Sequence, residues 1–465
     1  MPDAPRKRRE DLFGTDGVRG IAGAEITASL ARDVAWACAR LLAEQAATPE
    51  VLLARDTRVS GPELAAAFAD ELCRCGVTVR DCGVLPTGGL CLLVARRDLD
   101  GGTVISASHN PPEFNGIKLI GRGGHKLPTD RQRHLEDLIR EAQAHDAEDC
   151  PPALDPPGDC VEDSAARAEY MQIVLEGLPP NCLAGMRVVL DCAHGSASDF
   201  APEAFEQAGA SVVPLNCDAD GALINVECGS TVPRTVAEAV VAEGADLGVA
   251  FDGDADRAVL ADHQGNIVDG DATKYILAVG RQQQGLLDPP LVIGTVMNNF
   301  GLERALTARG IELERTPVGD RHVVERMRET GAWLGGEQSG HIIFRDRMIG
   351  DGIITALRVC EVVARTGRTL AELASPVQKI PQHLVNLHAE DREAWRQCAD
   401  VQQEIEQWER RLEGAGRILV RASGTEPLVR VMVEAEDPAL AQESVDAIAE
   451  SIRAACDGGV GGRSE

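Results

Sequence analysis

The sequence predicts an α/β protein of several domains, and two observations carry this prediction. The chain has 465 residues, which is too long for one hydrophobic core and suggests roughly three or four domains. Short β-branched runs alternate with amphipathic helical segments along most of that length, which is typical of α/β units built on a mainly parallel sheet. In such units the loops after the strands collect the functional side chains.

The first α/β unit is predicted from six segments in this alternating order. They are a helix over 27–47, a strand over 51–54, a helix over 62–74, a strand over 77–81, a helix over 90–97 and a strand over 103–106. A linker rich in proline and aspartate follows at 149–159, and such composition is typical of a domain boundary.

Two further α/β units and a smaller α+β unit are predicted downstream. The second has strands at 187–191, 211–215 and 247–251 with helices at 202–208 and 232–243, and the third has a strand at 291–294 and a helix at 300–309. Beyond Pro381 the pattern changes to a helix at 400–412, strands at 417–421 and 428–434, and a last helix. We therefore predict domain I at 1–158, domain II at 159–260, domain III at 261–378 and domain IV at 379–465.

Composition limits the function classes. The net charge of −28 argues against a nucleic-acid partner, because phosphate backbones bind basic surfaces. No apolar run approaches the length of about 18 residues that suggests a membrane span, and the basic N-terminus has no apolar segment of a signal peptide behind it. The 14 cysteines include no Cys-x-x-Cys pair, a pattern that fits a reducing cytoplasm. An anionic substrate would need local arginines or a metal to overcome the negative charge of the chain.

A candidate nucleophile lies in Val104-Ile-Ser-Ala-Ser-His-Asn-Pro111. The apolar run reads as the end of a buried strand, and the proline biases Asn110 away from helix. Ser108 is therefore predicted on a tight, exposed loop with His109 beside it, where its hydroxyl could act as a nucleophile or carry a phosphate. The alternative is a loop whose polar side chains only satisfy the backbone of a turn.

A candidate metal site follows the strand at 247–251. Asp252, Asp254 and Asp256 alternate there, and in extended geometry their carboxylates would point the same way. Three such charges repel one another unless a cation binds them, and oxygen ligands favour Mg²⁺ over Zn²⁺ or Cu²⁺. A calcium EF-hand is excluded, because Arg257 stands where that loop needs glycine and His263 where it needs glutamate. A solvated acidic turn is the remaining alternative.

Three further loops are rich in glycine and polar residues. The first, Phe13 to Gly20, offers backbone N–H groups and the charge of Arg19 to an anion. The second contains Glu337, Ser339 and His341, which suit a polyhydroxylated ligand. The third suits a phosphate, because two arginines, two hydroxyls and an approachable glycine N–H come together; its residues are Arg421, Ser423, Gly424, Thr425 and Arg430. Each could instead be an ordinary loop or hairpin.

The candidate loops are spread evenly along the chain. Ser108 and Asp252 are 144 residues apart, Asp252 and Glu337 are 85 apart, and Glu337 and Arg421 are 84 apart. Each loop therefore falls in a different predicted domain. This spacing predicts four domains arranged around a central cleft, each contributing one loop: a phosphate carrier, a metal site, a sugar-binding loop and a phosphate-binding loop.

The chain resembles the α-D-phosphohexomutase superfamily over about residues 11–456. Five motifs match that family in order, and together they are highly specific although none would be alone. They are Phe13-Gly-Thr-Asp-Gly-Val-Arg-Gly20, Ser106-Ala-Ser-His-Asn-Pro111, Asp252-Gly-Asp-Ala-Asp-Arg257, Gly336-Glu-Gln-Ser-Gly-His341 and Arg421-Ala-Ser-Gly-Thr-Glu-Pro427.

The resemblance implies a fold and a set of site residues. Domains I to III would be related α/β units with mixed sheets, and domain IV would be similar to the TATA-binding-protein fold. Ser108 matches the family's phosphoserine, and the three aspartates, completed by that phosphoserine, match the ligands of one Mg²⁺ per chain. Glu337 and Ser339 match the sugar-binding loop, and the Arg421 to Arg430 set matches the phosphate clamp. The catalytic group would further comprise Arg19, His109, Lys118, Arg257 and His341.

The resemblance also implies a reaction, which is closest to that of members acting on amino sugars. This isomerase reaction is the reversible interconversion of α-D-glucosamine 6-phosphate and 1-phosphate, with glucosamine 1,6-bisphosphate or glucose 1,6-bisphosphate as intermediate or activator. It would supply UDP-N-acetylglucosamine synthesis. The general base is left open among Arg19, Lys118 and His341. The implied protein is a cytoplasmic monomer or homodimer without membrane partners; alternatives are a phosphomannomutase or phosphoglucomutase, a non-catalytic phosphosugar-binding protein, or a phosphatase.

Overall fold

The computed structural model describes residues 17–144, 157–389, 391–422 and 427–457. They divide into two compact units. The first unit holds the described residues up to Thr295 together with Thr316–Ser375, and the second holds Val296–Arg315 together with the described residues from Pro376 onward. None of the helices in these described ranges is long and apolar enough to cross a membrane.

The first sheet of the chain has seven strands, and four helices connect or follow them. The strands are β1 (Val18–Ile21), β2 (Glu50–Arg55), β3 (Thr78–Val84), β4 (Gly101–Ile105), β5 (Phe114–Gly121), β6 (His125–Lys126) and β7 (Cys160–Glu162). The helices are α1 (Ala28–Ala43), α2 (Gly61–Arg74), α3 (Thr87–Arg96) and α4 (Thr129–Ala144). The strand order is β1-β5-β4-β2-β3-β7, with β6 beside β5. The apolar sides of α1, α2 and α4 share one core, which includes Val34, Phe68 and Ile139.

This sheet is mixed, as the family resemblance implies, and not mainly parallel, as the alternation of strands and helices alone predicted. Strand β2 runs parallel to β3 and β4, as the helical crossovers require. Strand β5, however, runs antiparallel to both β4 and β1. Only the residues from Ser106 to Glu113 connect β4 to β5, and a parallel crossover needs a dozen residues or more. The serine loop is therefore the turn of an antiparallel pair.

The second sheet has five strands in the order β12-β11-β10-β8-β9. Its elements, in chain order, are α5 (Ala166–Leu175), β8 (Arg187–Asp191), α6 (Ala201–Gln207), β9 (Ser211–Leu215), α7 (Arg234–Glu243), β10 (Leu247–Phe251), β11 (Ala258–Asp262) and β12 (Ile267–Val268). Strand β8 is parallel to β9 and β10, and β10 is antiparallel to β11. The link between β10 and β11 is the Asp252 to Arg257 segment, which is again a short antiparallel connection.

A third set of elements follows, and it completes the first unit except for the elements within Val296–Arg315, which belong to the second unit. After α8 (Gly270–Gln283) and β13 (Leu291–Thr295), the chain forms α9 (Phe300–Thr307) and β14 (Glu312–Thr316), then α10 (Asp320–Thr330), β15 (Leu334–Gly336), β16 (Ile342–Phe344), α11 (Gly352–Thr366) and α12 (Leu370–Ala374). Strand β15 pairs parallel with β13 and antiparallel with β16. The loop between β15 and β16 contains Glu337, Ser339 and His341.

The second unit contains a three-stranded antiparallel sheet in the order β17-β19-β18. Its elements are β17 (Gln382–His388), a 3₁₀ turn (Ala394–Gln397), α13 (Ala399–Leu412), β18 (Gly416–Ala422), β19 (Leu428–Ala435) and α14 (Pro438–Asp457). Its core includes Trp395 and Trp408 with Val431 and Ile448. Helices α13 and α14 with a small antiparallel sheet form the α+β arrangement that the sequence predicts.

Candidate active site

Ser108 lies in the turn between β4 and β5, but it is not exposed as the sequence analysis expected. Its relative exposure is 1%, and its φ of +52° lies in the left-handed region. The Ser108 carbonyl oxygen accepts hydrogen bonds from Arg58 Nη2 and Asn225 Nδ2, each at 2.9 Å. A Cβ on Gly253 would stand 2.7 Å from that same oxygen. The serine is buried because a second loop of the first unit packs directly onto it.

Arg58 organises the serine turn, although the sequence analysis gave it no role. It is fully buried and its Nε donates to Asp56 Oδ2 at 3.0 Å. Its guanidinium donates to the carbonyl oxygens of Ser108, Asn110, Pro111 and Phe114. Asp56 Oδ2 also accepts from Ser106 Oγ at 2.6 Å, and Ser106 Oγ accepts from the Ser108 N–H at 2.9 Å. Local sequence gives no signal for a side chain that reaches 50 residues along the chain.

The Asp252 to Arg257 segment brings its three aspartates together, but by a turn rather than by extended geometry. Ala255 has a φ of +56°, and the segment contains no strand residue until Ala258. One carboxylate oxygen of each aspartate lies within 4.8 Å of the others, and all three residues are buried. The predicted convergence is therefore present, whereas its predicted geometric cause was wrong.

The triad fits a divalent cation chemically. Asp254 Oδ1 and Asp256 Oδ1 are buried and have no hydrogen-bond partner among the described residues, and such oxygens are costly unless something binds them. Burial raises the pKa of Asp252 well above its usual range, and the neighbouring charges of Asp256 and Asp254 act in the same direction. A cation held by three carboxylates would remove this repulsion.

Ser108 and the triad are in direct contact. Ser108 Oγ donates to Asp252 Oδ2 at 2.6 Å and lies 3.3 Å from His109 Nδ1. Burial lowers the pKa of His109 to about 4, and the nearby charges of Arg257 and Arg19 add to this effect. His109 is therefore neutral at pH 7. Arg19 lies on β1 opposite Gly116 of β5, which places its charge beside this loop.

Two cations balance the carboxylates. Lys118 on β5 is 2% exposed, and its Nζ lies 2.6 Å from Asp254 Oδ2 and 3.7 Å from Asp256 Oδ2. Arg257 donates its backbone N–H to Asp252 Oδ1 at 3.2 Å, and its Nε is 3.8 Å from Asp256 Oδ1. Burial opposes the charge of Arg257, but the surrounding carboxylates, Glu337 among them, raise its pKa. Both predicted catalytic cations therefore lie at the triad.

The predicted sugar-binding loop lies beside the same cluster. His341 Nδ1 is 3.6 Å from Asp256 Oδ2, and its Nε2 is 3.6 Å from Asp320 Oδ2. Burial works against a charged imidazole here, but these carboxylates raise the pKa of His341 to about 9. Glu337 Oε1 accepts from the Gly319 N–H at 3.2 Å, and Ser339 Oγ lies 3.5 Å from Glu337 Oε2. Three loops of the first unit thus meet around one group of charges.

The N-termini of two helices are hydrogen-bonded to the Asp252 to Arg257 segment, called the metal loop below. Thr87, at the start of α3, donates its backbone N–H to the Asp254 carbonyl oxygen at 3.0 Å and its hydroxyl to the Asp254 carboxylate. Gly352, at the start of α11, donates its N–H to the Ala255 carbonyl oxygen at 2.8 Å. Asp351 caps α11 through the Ile354 N–H and accepts from Tyr170 Oη at 2.8 Å. None of these five contacts was predicted from the sequence.

The second unit carries the arginines of the predicted phosphate clamp. Arg421 on β18 and Arg430 on β19 are directly opposed cross-strand partners. Burial lowers the pKa of Arg421, and the charge of Arg430 lowers it further. Like charges placed opposite each other destabilise a sheet, and an anion between them would relieve that cost. The other predicted clamp residues, Ser423, Gly424 and Thr425, lie outside the described residues.

Fold and site together define an enzyme class that transfers phosphoryl groups on hexose phosphates, and the chain belongs to the phosphoglucomutase/phosphomannomutase family. The α/β/α domain I model of that family matches residues 10–146, domain II matches 168–265, domain III matches 269–380, and the C-terminal domain matches 384–451. The predicted order of three α/β domains followed by a C-terminal α+β domain is confirmed.

Within that family the chain is similar to curated phosphoglucosamine mutases. The protein of Desulforamulus reducens is 45% identical over 442 residues, which cover 95% of this chain and 99% of the relative. The protein of Salinispora arenicola is also 45% identical, over 447 residues that cover 96% of this chain and 98% of the relative.

Solved structures share the fold. A phosphoglucomutase/phosphomannomutase family protein of Burkholderia thailandensis has a TM-score of 0.78 at 26% identity. The match covers 97% of this chain and 98% of the Burkholderia chain. The N-acetylphosphoglucosamine mutase of Aspergillus fumigatus, solved with GlcNAc-6P and magnesium, has a TM-score of 0.64 at 18% identity, covering 96% of each chain.

Proposed function

We propose that this chain is an isomerase that interconverts α-D-glucosamine 6-phosphate and α-D-glucosamine 1-phosphate through a phosphorylated Ser108. The observation that carries the chemistry is the contact between Ser108 Oγ and Asp252 Oδ2, because it joins a nucleophilic oxygen to a cation site. The choice of amino sugar rests on the 45% identity to phosphoglucosamine mutases over nearly their whole length. The product would feed UDP-N-acetylglucosamine synthesis in the cytoplasm.

Asp252, Asp254 and Asp256 would hold one Mg²⁺. The two unpartnered carboxylate oxygens and the mutual repulsion of the triad support this assignment, as does the all-oxygen donor set. The magnesium in the Aspergillus fumigatus structure is consistent with it. When bound, the ion would neutralise negative charge on a phosphoryl group carried by Ser108.

The proposed reaction has two phosphoryl transfers, and a different phosphoryl group moves in each. In the first, the bond from phosphorus to Ser108 Oγ breaks as a bond forms to a free hydroxyl oxygen of the sugar phosphate. The resulting hexose 1,6-bisphosphate returns its other phosphoryl group to Ser108 Oγ, which regenerates the enzyme. Lys118 and Arg257 lie where they can stabilise charge on the transferring group, so positioning and electrostatics supply the rate. A variant of the Aspergillus fumigatus enzyme was solved with glucose 1,6-bisphosphate, which fits such an intermediate.

A base must take the proton of the attacking sugar hydroxyl. Arg19, Lys118 and His341 are the three candidates, and His109 touches Ser108 Oγ. His341 is held between two carboxylates that favour its charged form, and Lys118 is engaged by Asp254. In this state, both would therefore act first as fixed positive charges. The base assignment stays open among the three.

Recognition of the two ends of the substrate is assigned to different loops. Glu337 and Ser339 would read the sugar hydroxyl or amino groups, since they present acceptors and a donor beside the triad. The distal phosphate would bind the Arg421 and Arg430 pair with Ser423, Gly424 and Thr425. We propose the domain limits 1–158, 159–260, 261–378 and 379–465, so that each loop belongs to one domain.

Steady-state comparison of glucosamine, glucose and mannose 1-phosphates tests the substrate. We expect the highest kcat/KM with glucosamine 1-phosphate in the presence of Mg²⁺ and a hexose 1,6-bisphosphate. Preference for mannose or glucose 1-phosphate would establish a phosphomannomutase or phosphoglucomutase instead. Tight binding of all three sugars without turnover would establish a phosphosugar-binding protein, and steady release of inorganic phosphate would establish a phosphatase.

A further inference from the structure

An arginine-rich cavity lies in the first unit, and its lining residues belong to none of the loops described above. It has a volume of about 890 Å³, between the end of α5 and the outer sides of α8 and α11. Its lining contains five arginines and three carboxylates, which are Arg281, Arg345, Arg347, Arg358, Arg365, Glu176, Asp346 and Glu361. In a chain with a net charge of −28, this local excess of positive charge is unusual.

Aromatic rings hold some of these arginines in fixed positions. The Arg281 guanidinium stacks on Trp333 at 4.6 Å from the ring centroid, and Arg358 stacks on Phe344 at 4.0 Å and lies 5.9 Å from Trp333. Trp333 and Phe344 are themselves buried, with centroids 5.3 Å apart. Cation–π stacking leaves the guanidinium N–H groups directed outward and limits their freedom. The cavity therefore presents donors that are already oriented.

The positive charge is only partly neutralised. Asp346 engages Arg358 at 2.7 Å, Glu361 engages Arg365 at 2.8 Å, and Glu176 engages Arg347 at 3.1 Å. In the described part of the chain, Arg281 and Arg345 form no ion pair with a carboxylate and donate instead to backbone carbonyl oxygens. Burial lowers the pKa of Arg281, the nearby Asp346 carboxylate acts in the opposite direction, and the charges of Arg358 and Arg345 again lower it. A bound anion would stabilise this arrangement.

The remaining wall is apolar and the cavity is large. Leu277, Leu357 and Val362 line it together with Leu178 and Pro179. Sites for cofactors and other small molecules have volumes of about 300–1,000 Å³ and combine such walls with a few oriented polar groups. Inorganic phosphate would fill a small part of this space. Guanidinium groups bind phosphate oxygens in pairs, so the lining suits an organic body with at least two anionic oxygen groups.

We propose that this arginine cavity binds an organic phosphate of nucleotide size, at a site distinct from the serine and metal loops. Its phosphates would contact Arg281, Arg345 and Arg358, and its organic body would pack on the α8 and α11 side chains. The inference does not depend on the proposed function, because it uses no residue of the candidate active site.

Calorimetric titration of the full chain with ADP, pyrophosphate and adenosine tests this site, first without and then with saturating glucose 6-phosphate to occupy the catalytic cleft. We expect ADP to bind more tightly than either part alone. Arg281→Gln and Arg358→Gln should each raise the Kd for ADP by at least about tenfold, since each removes charge-assisted hydrogen bonds. Arg396→Gln, which removes an exposed arginine of the second unit, should leave it unchanged.

Several results would overturn the proposal. Unchanged ADP affinity in a folded Arg281→Gln protein would show that the cavity is not the site, and loss of ADP binding on adding glucose 6-phosphate would assign it to the catalytic cleft. Adenosine binding as tightly as ADP would remove the role of the arginines, and equal binding of pyrophosphate would remove the role of the apolar wall. Arg281 is partly exposed, so its variant remains informative if Arg358→Gln fails to fold.

Discussion

Ser108 Oγ and Asp252 Oδ2 are 2.6 Å apart, although the two residues are separated by 144 positions in the chain. Ser108 follows a strand of the first sheet and Asp252 follows a strand of the second. The contact exists because two short antiparallel connections, each at the end of a strand, pack against each other. A phosphoryl group on this serine oxygen would lie next to the aspartate triad.

Replacing Ser108 by alanine should abolish the mutase reaction, lowering kcat by at least about 1,000-fold, because the only proposed phosphoryl carrier is lost. Intact-mass measurement should find one phosphate on a fraction of the wild-type molecules and none on Ser108→Ala. Ser375→Ala, at the exposed serine that follows α12, is the control and should keep both phosphate and activity. Phosphate that persists in Ser108→Ala would falsify the carrier assignment.

Asp252→Asn should raise the stability of the metal-free protein above that of the wild type and reduce the stability that Mg²⁺ adds. In metal-free buffer the variant should have a higher Tm than the wild type, because one of three mutually repelling buried carboxylates is neutralised. With millimolar Mg²⁺ the wild type should gain stability by ligand binding, and the variant should gain clearly less. Scanning calorimetry at both conditions measures the effect.

Asp98→Asn, at an exposed carboxylate, is the matched control and should behave as the wild type does. A metal-free Asp252→Asn protein less stable than the wild type would show that the triad is not under electrostatic strain. An equal Mg²⁺ response in both proteins would exclude Asp252 as a ligand.

Arg58→Met should lower the free energy of unfolding by about 3–5 kcal/mol, because it leaves the buried Asp56 carboxylate unpaired. It also removes donors from four carbonyl oxygens of the serine turn. Urea unfolding measures the loss. Arg122→Met removes an exposed arginine paired with Asp98 and should change stability by no more than about 0.5 kcal/mol. Equal effects of the two substitutions would contradict the organising role of Arg58.

Asp351 should make stability depend on pH. Burial raises its pKa to about 6, against which the Ile354 N–H and the Tyr170 hydroxyl act only partly. The folded state therefore binds a proton that the unfolded state has lost, so stability should fall by about 3 kcal/mol as pH rises from about 4 to about 6. Asp351→Asn keeps a side-chain acceptor but cannot ionise.

The measurement is urea unfolding of wild type and Asp351→Asn at a series of pH values between 4 and 7. The difference in unfolding free energy should shift in favour of the variant as pH rises. Asp98→Asn serves again as the control, since its carboxylate is fully exposed. A difference that is constant over this range would show that Asp351 ionises normally in the folded protein.

Local patterns in the sequence were sufficient for the strand ends and for the residue types placed there. Strands over 187–191, 211–215 and 247–251 were predicted with the limits that the structure has, because apolar runs between turn residues are strong local signals. The three aspartates were predicted as one cluster because they alternate directly after the last of these strands. Their actual geometry depends on Ala255 in the left-handed region, for which alanine gives no warning.

Contacts between residues far apart in the sequence could not be predicted from local patterns. Arg58 follows a strand and looks like any loop arginine, yet its partners lie some 50 residues away in the serine turn. The burial of Ser108 arises from packing against Gly253 and Asn225, which lie in loops that follow strands of the second sheet. Thr87 likewise reaches Asp254 across 167 residues. These features depend on how the sheets pack together, and a single sequence carries no local record of that.

The hydrogen bonds from α3 and α11 to the metal loop affect how the first unit folds and whether a fragment of it could keep the site. The loop is continuous with β10 and β11, but its backbone is hydrogen-bonded to Thr87 at the start of α3 and to Gly352 at the start of α11. A Cβ on Gly88 would stand only 2.6 Å from the Asp351 carboxylate, which accepts a hydrogen bond from the Tyr170 hydroxyl. The starts of α3 and α11 are therefore in close contact. A fragment containing only the second sheet would keep the three aspartates and lose the contacts that shape them. The cation affinity that we propose would thus depend on elements outside the second sheet, and we expect it to appear late in refolding, once α3 and α11 have docked against the loop.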